Sequence, residues 1–151
     1  MNIEMVKKCL LTTVAVFVAV AGVFSQTSGK RASVTRSRLE GTWTLSSIPK
    51  RSIVPNSKGP FVKFDADKKS AGGNTGCNSF GGDLRIRGNT VSITGVISTM
   101  MACEEGDRMS VERAFLDGLQ RADRFDVVGG RLRLFRGRTL LLTLDRGSVK
   151  D

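Results

Sequence analysis

The feature that most constrains this chain is the alternation of apolar and polar residues in its second half, interrupted at short intervals by glycine. Asp83-Leu84-Arg85-Ile86-Arg87 alternates, Gly88-Asn89 follows as a turn, and Thr90-Val91-Ser92-Ile93 alternates again. A period of two sends successive side chains to opposite faces, so each run presents one face to a core and one to water. Two such runs joined by a Gly-containing turn form a hairpin. Phe125 to Val128, Arg131 to Phe135 and Thr139 to Leu144 repeat the pattern, separated by Gly129-Gly130 and Arg136-Gly137-Arg138. These are two consecutive hairpins in a meander.

Upstream, Thr42-Trp43-Thr44-Leu45-Ser46 alternates with Trp43 and Leu45 on one face. Pro49 to Pro60 reads as a loop. Phe61 to Phe64 reads as a short strand, with Phe61 and Phe64 both expected at its inner face, and Ser70 to Thr75 as a strand of small residues. Gly72 to Gly82 holds five glycines and cannot be an ordinary helix, since glycine is costly there; Gly76 to Gly82 within it reads as a ligand or partner loop or a structural corner. One segment has helical period. From Asp107 to Ala122, Val111, Phe115 and Leu119 recur every four residues, with Ala114, Gly118 and Ala122 alongside. Asp107 or Ser110 is expected to cap it, Glu112 suits its first turn, and Arg121 suits its C-terminal end. The expected fold is mainly β (α+β): a small antiparallel, partly open, barrel-like sheet of about eight strands packed with one α-helix.

The N-terminus reads as an address. Lys7 and Lys8 precede an uncharged apolar run, Leu10 to Phe24, and Ser25 is a suitable cleavage residue before Gln26. The run has 15 residues, short of the roughly 20 of a membrane helix, so residues 1–25 are expected to be a signal peptide. Cys9 stands before that run, so no lipid anchor is expected. The expected organisation is signal peptide 1–25, flexible basic linker 26–38, domain 39–145 and disordered tail 146–151. The expected localisation is the periplasm or cell envelope, with no transmembrane span after cleavage.

Loss of the signal changes the arithmetic. The whole chain has 24 Lys plus Arg against 14 Asp plus Glu, and removing Lys7, Lys8 and Glu4 leaves an excess of nine positive charges. Two cysteines remain, Cys77 and Cys103. An even pair in an exported domain is the expected count for one disulfide, while two buried free thiols are the alternative. The bridge would close a loop of 25 intervening residues and stabilise by about 3 kcal/mol.

Chemistry is restricted in turn. The chain has no histidine, which excludes Ser-His and Cys-His nucleophiles and His-ligated zinc or haem. Gly82-Asp83-Leu84 leads into a strand, not into the helix a phosphate loop requires. Glu104, Glu105 and Asp107 cluster beside Cys103 but match no EF-hand, and read better as an acidic patch at a helix N-terminus. No metal, cofactor or catalytic residue is expected. Arg85 and Arg87, with Arg131 and Arg133, form the candidate surface for an anionic partner, such as anionic lipid, lipopolysaccharide or wall polymer; Arg136 and Arg138 extend the basic run. A solvated outer face is the plainer reading, and no nucleic acid is expected of an exported chain.

Several of these residues together carry a resemblance. The order Trp43-x-Leu45, then Gly76-Cys77-Asn78-x-Phe80-x-Gly82, then Thr99-x-Met101-Ala102-Cys103, then Glu112 and Phe115 on the helix, then paired hairpins, resembles the META domain family, the HslJ-like proteins. It covers about residues 38–145. Leu84 departs from it, standing where such domains usually carry tyrosine. The resemblance implies a small β-rich domain packed with a helix, an envelope location, and an association with stress or antibiotic resistance. It implies structural rather than catalytic roles for Gly76, Cys77, Asn78, Phe80, Gly82, Thr99, Met101, Ala102 and Cys103.

The expectation for function is therefore a non-enzymatic envelope stress-response or maintenance module that binds or scaffolds an envelope protein or an anionic envelope component. The alternative is a carrier of a small apolar or lipid ligand held between helix and sheet. A core filled by Trp43, Phe61, Phe115 and Leu119 without a cavity would count against it.

Overall fold

The computed structural model describes residues 36–51, 53, 59–101 and 107–147, which fall in one compact unit, Ala32–Asp151. The expected signal peptide lies outside the described residues, as do 26–35 of the linker and 148–151 of the tail. Eight strands follow one another around a ring: β1 (Gly41–Ser47), β2 (Phe61–Asp65), β3 (Ser70–Asn74), β4 (Ser79–Arg87), β5 (Thr90–Ser98), β6 (Arg124–Val128), β7 (Arg131–Arg136) and β8 (Thr139–Arg146). Every neighbour is antiparallel, and β8 returns to β1 through Leu45 opposite Leu144. The helix α1 (Arg108–Arg121) connects β5 to β6.

The ring has one thin seam. β5 and β6 share a single pair, Thr90 opposite Arg124. Beyond it the two strands separate, and α1 packs on β5, β7 and β8. This is the partly open sheet that the alternation predicts. Phe115 and Leu119 point inward and are fully buried with Trp43, Phe64, Phe125, Leu132 and Leu142. Gly118 lets the helix approach: a Cβ there would lie 2.7 Å from Leu142. Asp107 occupies the N-cap without a side-chain capping bond. Ser110 lies inside the first turn and accepts a bond from Arg51. Neither expected side-chain cap therefore forms, and Glu112 falls just past the first turn.

Four expectations need correction. The glycine run divides: Gly72 and Gly73 stand in β3, inside the strand expected over Ser70 to Thr75, whereas Gly81 and Gly82, expected in a loop or corner, belong to β4. Neighbouring strands come so close that a Cβ on Gly73 would meet Phe61 O at 2.1 Å. Glycine here fits a tight sheet, and its cost in a helix says nothing against a strand. Phe61 is only half-buried, while Val62 and Phe64 enter the core. Phe61 and Phe64 are three residues apart, so a period of two cannot put both inside. The core test named above is met by Trp43, Phe115 and Leu119 but not by Phe61. The ordered domain also begins before residue 39 and ends after 145. Residues 36–39 form a helical turn with Leu39 fully buried. Arg146 is part of β8, and Gly147 N donates to Thr42 O at 3.0 Å.

The two ends of the ring differ. The hairpin turns β2–β3, β4–β5 and β6–β7 lie at one end with the 36–39 turn. There Trp43 Nε1 donates to Leu39 O at 2.7 Å. Arg146 lies 4.4 Å over the Trp43 ring and donates to Arg38 O at 3.0 Å. Arg36 donates to Ala66 O at 2.9 Å and Arg38 to Val127 O at 2.8 Å. The longer connections gather at the other end: those after β1, β3 and β5, and the start of α1.

Candidate functional site: the loop end and the arginine faces

The loop end is organised by one amide. Asn78 is 3% exposed, and a buried amide must find protein partners. Its Oδ1 accepts from Thr99 Oγ1 and from Met101 N, each at 2.8 Å. Its Nδ2 donates to Met101 O at 3.2 Å and to both Glu112 oxygens at 3.0 Å. Its backbone closes a turn on Thr75: Asn78 N donates to Thr75 Oγ1 at 2.9 Å, and Thr75 N to Asn78 O at 2.8 Å. Thr99 then continues the link, with Thr99 N donating to Ser79 O at 3.0 Å. Three separate segments thus meet on one side chain. Beneath it Phe80 meets Phe115 edge-on, with ring centroids 5.9 Å apart, a favoured aromatic geometry.

This clasp joins Asn78, Phe80, Thr99, Met101, Glu112 and Phe115. Gly76 takes a positive φ of 91° in the turn, and its N–H donates to Asn74 Oδ1 at 2.7 Å. Gly82 sits further along β4, outside the clasp. Cys77 Sγ lies 3.8 Å from Met101 O. Ala102, Cys103, Glu104 and Glu105 lie outside the described residues. Thr75 is a clasp residue that sequence reasoning passed over; its signal was the Thr-x-x-Asn spacing that suits a side-chain-closed turn. Among the described residues no group of His, Cys, Asp and Glu could hold a metal ion. No helix among them is long and apolar enough to cross a membrane.

Above the clasp the surface is apolar. Met100 is 96% exposed, Ile97 78% and Met101 60%. To one side, between α1, the end of β1 and the start of β8, runs an open groove of about 780 Å³. Ile48, Ala114, Leu140 and Leu141 line it, with Arg51 and Arg113 among its charged residues.

The candidate arginines fall into two groups that differ in how they are paired. Arg85 and Arg87 are on β4, whereas Arg131 and Arg133 are on β7, with β5 and β6 between. Arg133 is held by both oxygens of Asp126, each at 2.7 Å, and that bond raises its pKa above the ordinary guanidinium value. Arg131 bonds Asp145 at 2.9 Å. The Arg131 bond, aided by Ser46, lowers the Asp145 pKa below the usual carboxylate value. Both candidate arginines of β7, Arg131 and Arg133, are paired with a carboxylate on a neighbouring strand. The outward alternation itself holds, with Leu132 and Leu134 buried behind them. A residue not singled out from sequence, Arg124, lies 4.2 Å over the ring of Phe135.

Known proteins share this arrangement. An NMR structure covering 78% of this chain and 98% of its own superposes with a TM-score of 0.62 at 18% identity. An NMR structure of a protein from Burkholderia xenovorans gives 0.62 at 23% identity, over 76% of this chain and 88% of its own. A crystal structure of a DUF4847 family protein from Bacteroides vulgatus gives 0.55 at 18% identity, over 76% and 97%. At these identities the likeness is one of fold. No curated protein matches the chain. The META domain family model matches residues 36–147, the span of the ring with its opening helical turn. With the Asn78 clasp assembled from the segments that carried the resemblance, the chain belongs to the META domain family.

Proposed function

We propose that this protein is exported and works in the periplasm or cell envelope as a non-enzymatic binding or scaffolding module, in stress response or maintenance. The observation that carries this reading is the engagement of Asn78. Both ends of its amide are bonded to protein groups, so the residue at the heart of the family pattern holds loops together. What the loops then offer outward is the apolar rim of Ile97, Met100 and Met101, suited to an envelope protein. The apolar run Leu10 to Phe24 supports export, and the position of Cys9 before it supports an unanchored product.

A photo-reactive residue at position 100 of the native chain, expressed in its own envelope, tests the module. It should capture a partner that the same probe at Lys68, in the β2–β3 turn at the other end, does not, and Met100→Asp should weaken the complex. Identical adducts from both positions would end the proposal. Fractionation with N-terminal sequencing tests export: a mature start at Gln26 is expected, and an intact N-terminus in the cytoplasm refutes it.

The same reading includes a Cys77–Cys103 bridge. It is supported by the oxidising compartment and by Cys77 Sγ lying 3.8 Å from the carbonyl of Met101, two residues before Cys103. Thiol titration of the unfolded, unreduced exported form should find no free thiol; two would remove the bridge.

A carrier function has one observation in its favour. The ring interior is filled, but the groove between α1 and β8 has about 780 Å³ of space, with Ile48, Ala114, Leu140 and Leu141 as the apolar part of a mixed lining. Lipid recovered by organic extraction of purified protein, and lost in Ala114→Trp, would support it. Clean protein would leave the scaffold reading.

A further inference from the structure

We propose that the outer face across β4, β5, β6 and the β7–β8 turn docks a linear polyanion bearing phosphate groups. The register lays out this face. Arg87 stands opposite Thr90, Thr90 opposite Arg124, and Arg124 opposite Phe135. Each step across a sheet is about 4.8 Å, so Arg87 and Arg124 stand about 10 Å apart along one row. Arg85, opposite Ser92, lies beside that row. Arg124 Nε donates to Gly137 O at 3.3 Å, which brings the β7–β8 turn, with Arg136 and Arg138, to its flank.

Charge balance separates this face from the one next to it. On the β7–β8 side Arg131 and Arg133 each face a carboxylate across the strand. None of Arg85, Arg87, Arg124, Arg136 and Arg138 belongs to an ion pair among the described residues. The carboxylates nearest in sequence are Asp83, Asp123 and Asp126; Asp126 is taken by Arg133, and Asp123 is engaged by Gly137 N at 2.9 and 3.1 Å. Five guanidinium forks against the two carboxylates outside that pair leave a local positive field that attracts anions.

A row of cations suits several anionic groups carried on one chain. A guanidinium presents paired donors that match phosphate oxygens. Arg124 is already fixed by its ring and its carbonyl, so little freedom remains to be lost on binding. A bilayer would call for a cluster of apolar side chains to enter it; among the described residues Val128, 62% exposed at the end of β6, stands alone on this face, and the exposed Met100, Met101 and Ile97 belong to the loop end. Phe135, the one ring of this face among the described residues, is roofed by Arg124. It offers no open surface for base stacking. The partner is therefore read through its charge.

Titration of the full chain with long-chain inorganic polyphosphate, repeated over a range of salt, tests the assignment. Wild type should bind with a steep salt dependence. Arg85→Gln with Arg87→Gln should weaken binding roughly tenfold and lower the salt slope by about one per residue. Arg124→Gln should add to that loss. Arg131→Gln, which removes an arginine already paired, should change affinity less than about twofold. Thermal melts confirm that each variant is folded. Absence of polyphosphate binding overturns the proposal, as does an equal loss from Arg131→Gln. Binding to phosphatidylglycerol vesicles without polyphosphate binding reassigns the face to a membrane. These variants leave Met100 and the Asn78 clasp untouched, so the outcome is independent of the loop-end reading.

Discussion

The two ends of the ring solve the same problem with different chemistry. The hairpin end is closed by an apolar plug: Leu39 and Trp43 are fully buried, and one cation, Arg146, covers the indole. The loop end is closed by a polar side chain, Asn78, whose amide holds three segments. An apolar plug stabilises through area removed from water and demands no particular direction. A buried amide contributes only when every partner is in place, but then fixes the position of each partner. The hairpin end is thus built for stability, and the loop end for holding an exposed rim in one shape.

Truncation measures that contrast. Trp43→Ala should cost about 4 kcal/mol, because a filled core leaves a cavity when an indole is removed. Chemical denaturation of wild type and variant reads it directly. A cost near 1 kcal/mol would mean that the plug is dispensable and the contrast is wrong at its apolar side.

Asn78→Ala should cost about 3 kcal/mol, since it strips partners from Thr99, Met101 and Glu112 together. Its signature should be local as well as global. Hydrogen exchange at Met101 and Ser79 should rise far more than at Leu144. Uniform acceleration over the ring would show that Asn78 is merely one more core residue, and the contrast between the ends would fail.

Much of the ring was legible because the hairpins count themselves. From the Gly129-Gly130 turn, stepping outward pairs Val128 with Arg131, Asp126 with Arg133 and Arg124 with Phe135. The neutralisation of Arg133 and the stacking of Arg124 were therefore readable from the register alone. Treating Arg131 and Arg133 as one stripe, without asking what faced them, hid this. The helix face was legible for the same reason of period, since Phe115, Gly118 and Leu119 are the buried set.

The strand at Gly81-Gly82 was not legible. A Cβ on Gly82 would meet Thr94 O at 2.9 Å, and such approach is a tertiary fact. Nor does any local period foretell that Glu112 reaches across to Asn78. The two are 34 residues apart, and only the resemblance placed both in one pattern. The helical turn at 36–39 was missed because Gln26 to Arg38 has no apolar period, and Leu39 by itself does not announce a plug.

Arg146→Ala should be milder than either truncation, about 1 kcal/mol. It removes the cation over Trp43 and the bonds to Arg38 O and Glu40 O, which uncovers one face of the indole and leaves its other contacts in place. Tryptophan fluorescence gives a second readout, because Trp43 is the one tryptophan in the chain. A shift toward longer wavelength in folded protein is expected as water reaches the ring. An unchanged spectrum with unchanged stability would assign the closure to the apolar plug alone.

The smallest effect concerns the strand pair that runs into the plug. Asp145 and Arg131 are paired on β8 and β7, one residue before Arg146. The Arg131 bond lowers the folded-state pKa of Asp145 below the ordinary aspartate value, so the unfolded chain takes up this proton first as pH falls. The contribution is therefore complete above the ordinary carboxylate pKa and drains away as pH drops through the lower folded value. Half the pair is exposed, and water screens it, so the stabilisation is slight. Urea midpoints of wild type and Asp145→Asn should differ modestly at neutral pH and converge in acid. Curves that stay parallel down through that range would show that the bond to Arg131 contributes nothing measurable, leaving Trp43 and Arg146 to close this end unaided.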